Sequence, residues 1–278
     1  NKVRNDDVVI FNSSKFIYWI LVLPLIRLLG NKRVYVIHHH FMYLDCKWYE
    51  YPLNVMEKLL LRCADRLIIP SPYVKELVEC LRLNNSVFYL PIPFEKKLCQ
   101  KLNPQEGRLL FVGTVEKRKG LKYLIEAMTF VKNANVKCVL DVVGKVVDEI
   151  YFENMKQIVE EYKLDVTFHG FVSLEQKERL YASADIFVFP SKREGLPVSV
   201  MEAMACGLPC IVSDIRGNHD LVDQKGGYVI KLDNFENDLS DILINKKNHF
   251  DDMKKYNREK SEMFSLKAIL SKMKSIYG

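Results

Sequence analysis

The chain lacks the features that mark several large functional classes. Its 278 residues hold seven cysteines, yet no Cys-x-x-Cys pair and no Cys/His spacing of the zinc type occurs, which argues against a structural metal. Several lie inside apolar runs, such as Cys138 in KCVLDVVG and Cys210 in PCIVSD, and the cysteines, Cys206 among them, read as small core residues of a reducing compartment. No apolar run reaches the roughly 20 residues that span a bilayer. The strongest candidate, FIYWILVLPLIRLL over residues 16–29, carries Pro24 and Arg27. It also falls between two strand-like runs, where a crossover helix is expected. A core helix is the better reading, with an apolar outer face touching lipid left open. The opening NKVRNDD adjoins no apolar segment, so no secretory signal is visible. The net charge is +6, but the lysines are scattered and form no basic stripe with interleaved aromatics, which argues against a nucleic-acid partner. No internal repeat or low-complexity tract appears.

What is present is an alternation of short apolar strands and amphipathic helices. At 49% hydrophobic and 27% charged the composition is that of a globular protein, and the length suggests about two α/β domains. DVVIFN (7–12), RVYVI (33–37), RLIIP (66–70) and SVFYLPIPFEKK (86–97) read as strands of a first domain, the last running into a Pro-rich connector near Pro93. Helices are expected at 55–64 and 73–83. The alternation then restarts with RLLFVG (108–113), a helix over 119–131, KCVLDVVG (137–144), a helix over 149–164, VTFHG (166–170), a helix over 174–184, DIFVFP (185–190), CIVSD (210–214) and GYVIKL (227–232). Strands separated by helices of this length specify doubly wound parallel sheets. The expected domains are residues 1–93 and 94–258, with a tail helix over 259–278 expected to cross back to the first domain.

The most informative stretch is REGLPVSVMEAMACGLPCIVSD, residues 193–214. It reads as a loop after a strand, a helix, a Gly-Pro stop and another strand. Glu194 then sits outside a strand's carboxyl end, where open α/β sheets bind ligands. Glu202 lies about one and a half turns into the following helix, whose free N-terminal N–H groups favour a phosphate. Two glutamates at this spacing arise by chance in most chains, and acids near a helix start can simply answer its dipole. The surrounding EGLP and EAMACGLP give the pair its meaning. Two carboxylates around an anion-friendly helix start suit a ligand with both phosphates and hydroxyls.

The whole run resembles the donor-site signature of retaining glycosyltransferases of the two-Rossmann GT-B architecture, glycosyltransferase family 4 in particular. The loop Gly113-Thr114-Val115-Glu116-Lys117-Arg118-Lys119-Gly120 is similar to that family's diphosphate loop, in which a glycine admits the diphosphate and an arginine and a lysine neutralise it. Lys119 matches the lysine. Thr114 stands where many members carry the arginine, so Arg118 is the candidate second cation. By the same resemblance Glu202 would bind the ribose hydroxyls, Glu194 would contact the donor sugar, and Gly195, Leu196 and Pro197 would offer backbone N–H groups or shape. Gly170-Phe171-Val172 resembles the segment lining the base pocket, with a plain apolar turn as the alternative. His38 stands where the family places a histidine facing the sugar, although His39 and His40 leave that assignment open by one residue.

The resemblance implies transfer of a sugar from a nucleoside-diphosphate donor to a cell-surface glycan or lipid-linked acceptor, with retention, in the cytoplasm or at the inner membrane face. No cofactor is implied, because the nucleotide sugar is a substrate. No Asp-x-Asp motif of metal-dependent transferases occurs, and fixed Lys and Arg groups can stabilise the leaving diphosphate without a metal. The family's expected route is same-face attack, with the leaving phosphate drawing off the acceptor's proton. The first domain opens on a strand from the middle of the family's usual one, so it is expected to be incomplete, whether through a partial sequence or a short form. Two other functions stay open: a nucleotide-sugar epimerase on the same fold, and a degenerate donor-binding subunit.

Overall fold

The computed structural model describes residues 8–12, 33–37, 65–69, 86–91, 103–245 and 250–277. The chain divides into two compact units, Asn1–Ile92 with Ser271–Gly278, and Pro93–Leu270. His38 to His40, the run 16–29, the helices expected at 55–64 and 73–83, and Pro93 lie outside the described residues.

In the first unit, β1 (Val8–Asn12), β2 (Arg33–Ile37), β3 (Arg66–Ile69) and β4 (Ser86–Tyr89) form a parallel sheet in chain order. Their near-continuous apolar runs are what a parallel strand covered on both faces requires. Leu67, Ile68 and Ile69 are wholly buried, and Ile276 from the end of the chain packs on Ile68 beside Phe88 and Leu90.

The second unit runs β5 (Arg108–Val112), α1 (Leu121–Asn133), β6 (Val139–Val143), α2 (Glu149–Glu161), β7 (Val166–Gly170), α3 (Leu174–Ser183), β8 (Ile186–Phe189), α4 (Val198–Ala205), β9 (Cys210–Ser213), α5 (Arg216–His219), β10 (Gly227–Ile230), α6 (Phe235–Asn245) and α7 (Phe250–Ser261). All six strands are parallel, in the order β10-β9-β8-β5-β6-β7. The order reverses direction between β5 and β8, which is the arrangement of a Rossmann sheet and makes the crevice beyond those two strands the expected ligand position. The wholly buried rings of Phe111, Phe187 and Phe189 fill the sheet at this point, with Phe111–Phe189 centroids 6.0 Å apart and Phe187–Phe189 6.1 Å. α1 buries Leu121, Leu124, Ile125, Met128 and Val131 at helical spacing against that core.

Two local expectations are corrected. Lys119 does not open α1. Lys117–Lys119 form a 3-10 turn, Gly120 adopts φ 73°, and α1 starts at Leu121. A Cβ on Gly120 would stand 1.9 Å from the Pro190 carbonyl oxygen, so this glycine lets the β5 loop press against the end of β8. The cysteines also differ among themselves. Neither Cys138 nor Cys210 is in a disulfide, and burial pushes the Cys210 thiol far up. Cys206, at the end of α4, is disulfide-bonded and so departs from the reading as an unpaired core thiol.

Candidate functional site

Three loops meet at the carboxyl ends of β5, β8 and β9. The β5 loop is pinned on one side by Gly113 N–H to the Val143 carbonyl (2.9 Å) and Val115 N–H to the Lys145 carbonyl (2.9 Å). On the other side the Lys192 N–H donates to the Arg118 carbonyl at 2.8 Å, tying it to the β8 loop. From beneath, the Gly217 backbone comes so near that a Cβ there would lie 2.6 Å from the Gly195 carbonyl oxygen and 2.7 Å from that of Glu194.

This scaffold brings Lys119, Arg118 and Glu194 together. Lys119 Nζ donates to Glu194 Oε1 at 2.7 Å, Arg118 Nη1 to the same oxygen at 3.2 Å, and Ser191 Oγ to it at 2.7 Å. Glu194 Oε2 takes no hydrogen bond from any described residue. Lys119 Nζ also sits 5.1 Å from the centre of the Phe189 ring, whose face favours a cation. Behind Ser191 lies a buried polar layer: Ser213 Oγ donates to the Ser191 carbonyl, and Asn218 Nδ2 to the Ser213 carbonyl at 2.9 Å.

Thr114 and Glu116 complete the β5 loop. Thr114 Oγ1 donates to Glu116 Oε1 at 2.7 Å, and Arg118 Nη2 donates to that same oxygen at 2.9 Å. The Thr114 hydrogen bond, with the Arg118 charge, outweighs partial burial and holds the Glu116 carboxyl below its ordinary value. A carboxylate thus holds Arg118, the candidate second cation of the β5 loop, in place.

Glu202 is reached from the other side. Its Oε1 accepts from Lys177 Nζ at 2.6 Å and its Oε2 from the Tyr181 hydroxyl at 3.0 Å, both on α3. Burial, and then the Glu202 charge, pushes the Tyr181 phenol well above its ordinary value. α4 itself starts at Val198, after Pro197, with no side-chain cap, so its first N–H groups have no capping side chain. Of the remaining sequence-derived positions, Gly195 is exposed, while Leu196 and Pro197 are buried and Leu196 belongs to the core. They can serve a ligand only through backbone and shape. Phe171 is 89% exposed, just past Gly170 at φ 66°. An open groove of about 660 Å³ adjoins the β5 loop between Glu116, Lys117 and Arg118 and the start of α2 at Val147 to Ile150, without Lys119, Glu194 or Glu202 in its walls. Among the described residues no three His, Cys, Asp or Glu groups converge as a metal cage would need.

Sequence reasoning missed Glu116, Lys177, Tyr181, Ser191, Ser213 and Asn218. Lys177 and Tyr181 are spaced i, i+4 and so share a helix face, which was the one signal available. Nothing in the sequence says that this face meets Glu202.

A cation pair thus lies at a Rossmann switch point, beside an uncapped helix start and two fixed carboxylates. The chain belongs to the family Glycosyl transferases group 1, whose model matches residues 95–260. It is 32% identical over 161 residues to an uncharacterized glycosyltransferase of Methanocaldococcus jannaschii, covering 56% of this chain and 40% of that protein. It is 28% identical over 175 residues to the UDP-Gal:alpha-D-GlcNAc-diphosphoundecaprenol alpha-1,3-galactosyltransferase of Escherichia coli, covering 61% of this chain and 39% of that one. The chain therefore spans less than half the length of these two curated relatives. Among solved structures, the Anabaena protein HepE in complex with UDP superposes with a TM-score of 0.80 at 15% identity, covering 97% of this chain and 78% of that one. The fold is the α/β, GT-B class with Rossmann-like domains.

Proposed function

We propose that the chain transfers a sugar from a nucleoside-diphosphate donor to a hydroxyl of a glycan or lipid-linked acceptor, with retention at the anomeric carbon and without a metal. The meeting of Lys119 and Arg118 with Glu194 at the switch point carries this reading. Charge grows on the diphosphate as the anomeric C–O bond breaks, and cations fixed beside it favour the transition state over the ground state. Glu194 keeps Oε2 for a donor-sugar hydroxyl while Oε1 holds the two cations in place. Glu202 takes the ribose hydroxyls, the β5 loop and the start of α4 take the phosphates, and Phe171 flanks the base.

Two cations on Glu194 make it a poor nucleophile, which favours same-face attack over a covalent sugar-enzyme intermediate. In that route the acceptor oxygen bonds to the anomeric carbon on the face the diphosphate leaves, and its proton passes to the departing phosphate oxygen. His38 would meet the transferred sugar or acceptor from the first unit. UDP in the HepE complex, and the UDP-Gal donor and diphosphoundecaprenol acceptor in the E. coli relative's name, suggest UDP-sugars and lipid-linked saccharides as first trials.

The test is a screen of UDP-, GDP- and ADP-sugars against saccharide and lipid-linked acceptors, with EDTA present and absent. The expected result is nucleoside diphosphate release and a product whose anomeric configuration, by proton NMR coupling, equals the donor's. An inverted product, or activity abolished by EDTA, would sink the mechanism. Interconversion of nucleotide sugars with no acceptor added would establish the epimerase instead.

A further inference from the structure

Lys177 and Tyr181 are the described side chains that contact the Glu202 carboxylate, one on each oxygen, at 2.6 and 3.0 Å. Both come from α3, one turn apart, and α3 is rigidly started. Ser173 caps it with a full capping box, Ser173 Oγ accepting from the Gln176 N–H and Gln176 returning to the Ser173 N–H. Tyr181 is wholly buried and its ring stacks on Phe187 of β8, centroids 6.0 Å apart. Its single proton has two acceptors in reach, Glu202 Oε2 at 3.0 Å and the Ser199 carbonyl at 3.1 Å. The carboxylate is the stronger acceptor. A phenol pushed up by burial stays protonated at every working pH, so it remains a donor.

A glutamate has three side-chain torsions, and an unheld carboxylate must be ordered when the ligand arrives. Here the carboxylate is fixed beforehand, with its side chain only 12% exposed. We infer that Lys177 and Tyr181 are positioning residues that hold the Glu202 carboxylate ready to accept the ribose hydroxyls of the donor. The inference rests on the proposed role of Glu202. Each carboxylate oxygen can accept more than one hydrogen bond, so a ribose hydroxyl can be added while both supports stay in place. Lys177 also neutralises Glu202, which otherwise would repel a diphosphate bound close by. The first turn of α3 follows directly on the Gly170–Val172 loop, so one helix joins the candidate base loop to the ribose carboxylate.

The experiment compares, in the full chain, binding of whichever of UDP, GDP and ADP is tightest with binding of its 2′,3′-dideoxy counterpart by calorimetry. The ratio of the two dissociation constants reports the ribose hydroxyls alone. Wild type is expected to prefer the ribo form by roughly tenfold or more, from charge-assisted hydrogen bonds. Tyr181→Phe keeps the stacked ring and removes only the hydroxyl, and Lys177→Met keeps most of the stem. Each should lower the preference to about threefold or less; dideoxy binding should change little in Tyr181→Phe and weaken in Lys177→Met, where the unneutralised Glu202 repels either diphosphate, and Lys177→Arg should restore most of both. Thermal unfolding of each variant separates this from a folding defect, which would weaken both ligands together. If Glu202→Ala abolishes the preference while Tyr181→Phe and Lys177→Met both keep it, the positioning role is wrong and the ribose assignment stands. If Glu202→Ala keeps the preference, or none of the three nucleotides binds wild type, the reading of Glu202 falls and the inference with it.

Discussion

Lys119 and Glu194 stand 75 residues apart in sequence, yet Lys119 Nζ donates to Glu194 Oε1 at 2.7 Å. They come from the loops after β5 and β8, the two strands between which the sheet reverses its order. Both are largely shielded, at 14% and 12% side-chain exposure, where each would be costly without the other. The pair holds a cation and a carboxylate at a set distance before any ligand arrives.

Replacing Lys119 by Ala should therefore hurt turnover more than ground-state binding. The charge that Lys119 meets grows as the diphosphate leaves, so kcat is expected to fall roughly 10²–10³-fold, as for the loss of one fixed oxyanion donor. Donor affinity should fall far less, since Arg118 still faces the phosphates. Steady-state kinetics with calorimetric donor binding checks this. Equal losses in both would cast Lys119 as a binding group only.

Glu202→Ala should show the opposite pattern. Its ribose hydrogen bonds exist in ground and transition states alike, so their loss should weaken donor binding by ~1.5–3 kcal/mol with a smaller change in kcat. His38→Ala should leave nucleotide affinity nearly intact while lowering transfer. Should Glu202→Ala bind nucleotide as wild type does, the glutamate is a structural partner of Lys177 and Tyr181 and nothing more.

Much of the second unit was legible because its elements are long runs of consistent period. VTFHG coincides with β7 (Val166–Gly170), and the helix read from Leu174 starts there as α3. The EGLP and EAMACGLP contexts located Glu194 and Glu202 on the right elements. What the sequence did not reveal was pairing across elements. That Ser191 would point its hydroxyl at Glu194, or Glu116 catch Arg118, depends on loops whose path is set by close backbone approaches. Lys177 looked like any solvated helix lysine, because periodicity says which residues share a face and not what that face meets. The start of α1 was misplaced by two residues because the left-handed bend at Gly120 answers to Pro190, 70 positions away.

Gly120 allows a direct test of that bend. A Cβ there would stand 1.9 Å from the Pro190 carbonyl oxygen, backbone against backbone, whereas a Cβ on Gly170, at φ 66°, would meet nothing within 4 Å. Both alanines carry the left-handed strain of about 1 kcal/mol or more, but only Gly120→Ala adds a clash. Gly170→Ala is expected to lose roughly 1–2 kcal/mol by urea unfolding. Gly120→Ala should lose clearly more, and should also lower turnover by parting Lys119 from Glu194. Equal stability losses at the two positions would mean that the β5 and β8 loops move apart freely.

The last prediction concerns acid. Asp223, in the loop before β10, accepts at Oδ2 from Tyr256 at 2.6 Å and from Lys260 at 2.8 Å, both on α7. Partial burial works to raise its pKa, but the Lys260 and Tyr256 hydrogen bonds and the Lys260 charge prevail and hold it below the ordinary 3.8. A carboxyl depressed on folding stabilises fully above its unfolded pKa, where it is ionised in both states. As pH falls below that value the unfolded chain takes up the proton first, and the contribution is gone once pH drops under the folded pKa. Thermal melts of wild type and Asp223→Asn should therefore differ most near neutral pH, and the gap should close progressively as pH falls below 3.8. Tyr256 is pushed up to about 12, first by its hydrogen bond to Asp223, then by burial and the Asp223 charge. Its contribution has the opposite sign: it is complete below pH 10 and fades as pH rises towards 12. Tyr256→Phe should accordingly cost stability at pH 7 and progressively less above pH 10. A gap between wild type and Asp223→Asn that stays constant from pH 7 to pH 3 would mean that the Asp223 ion pair does not anchor α7.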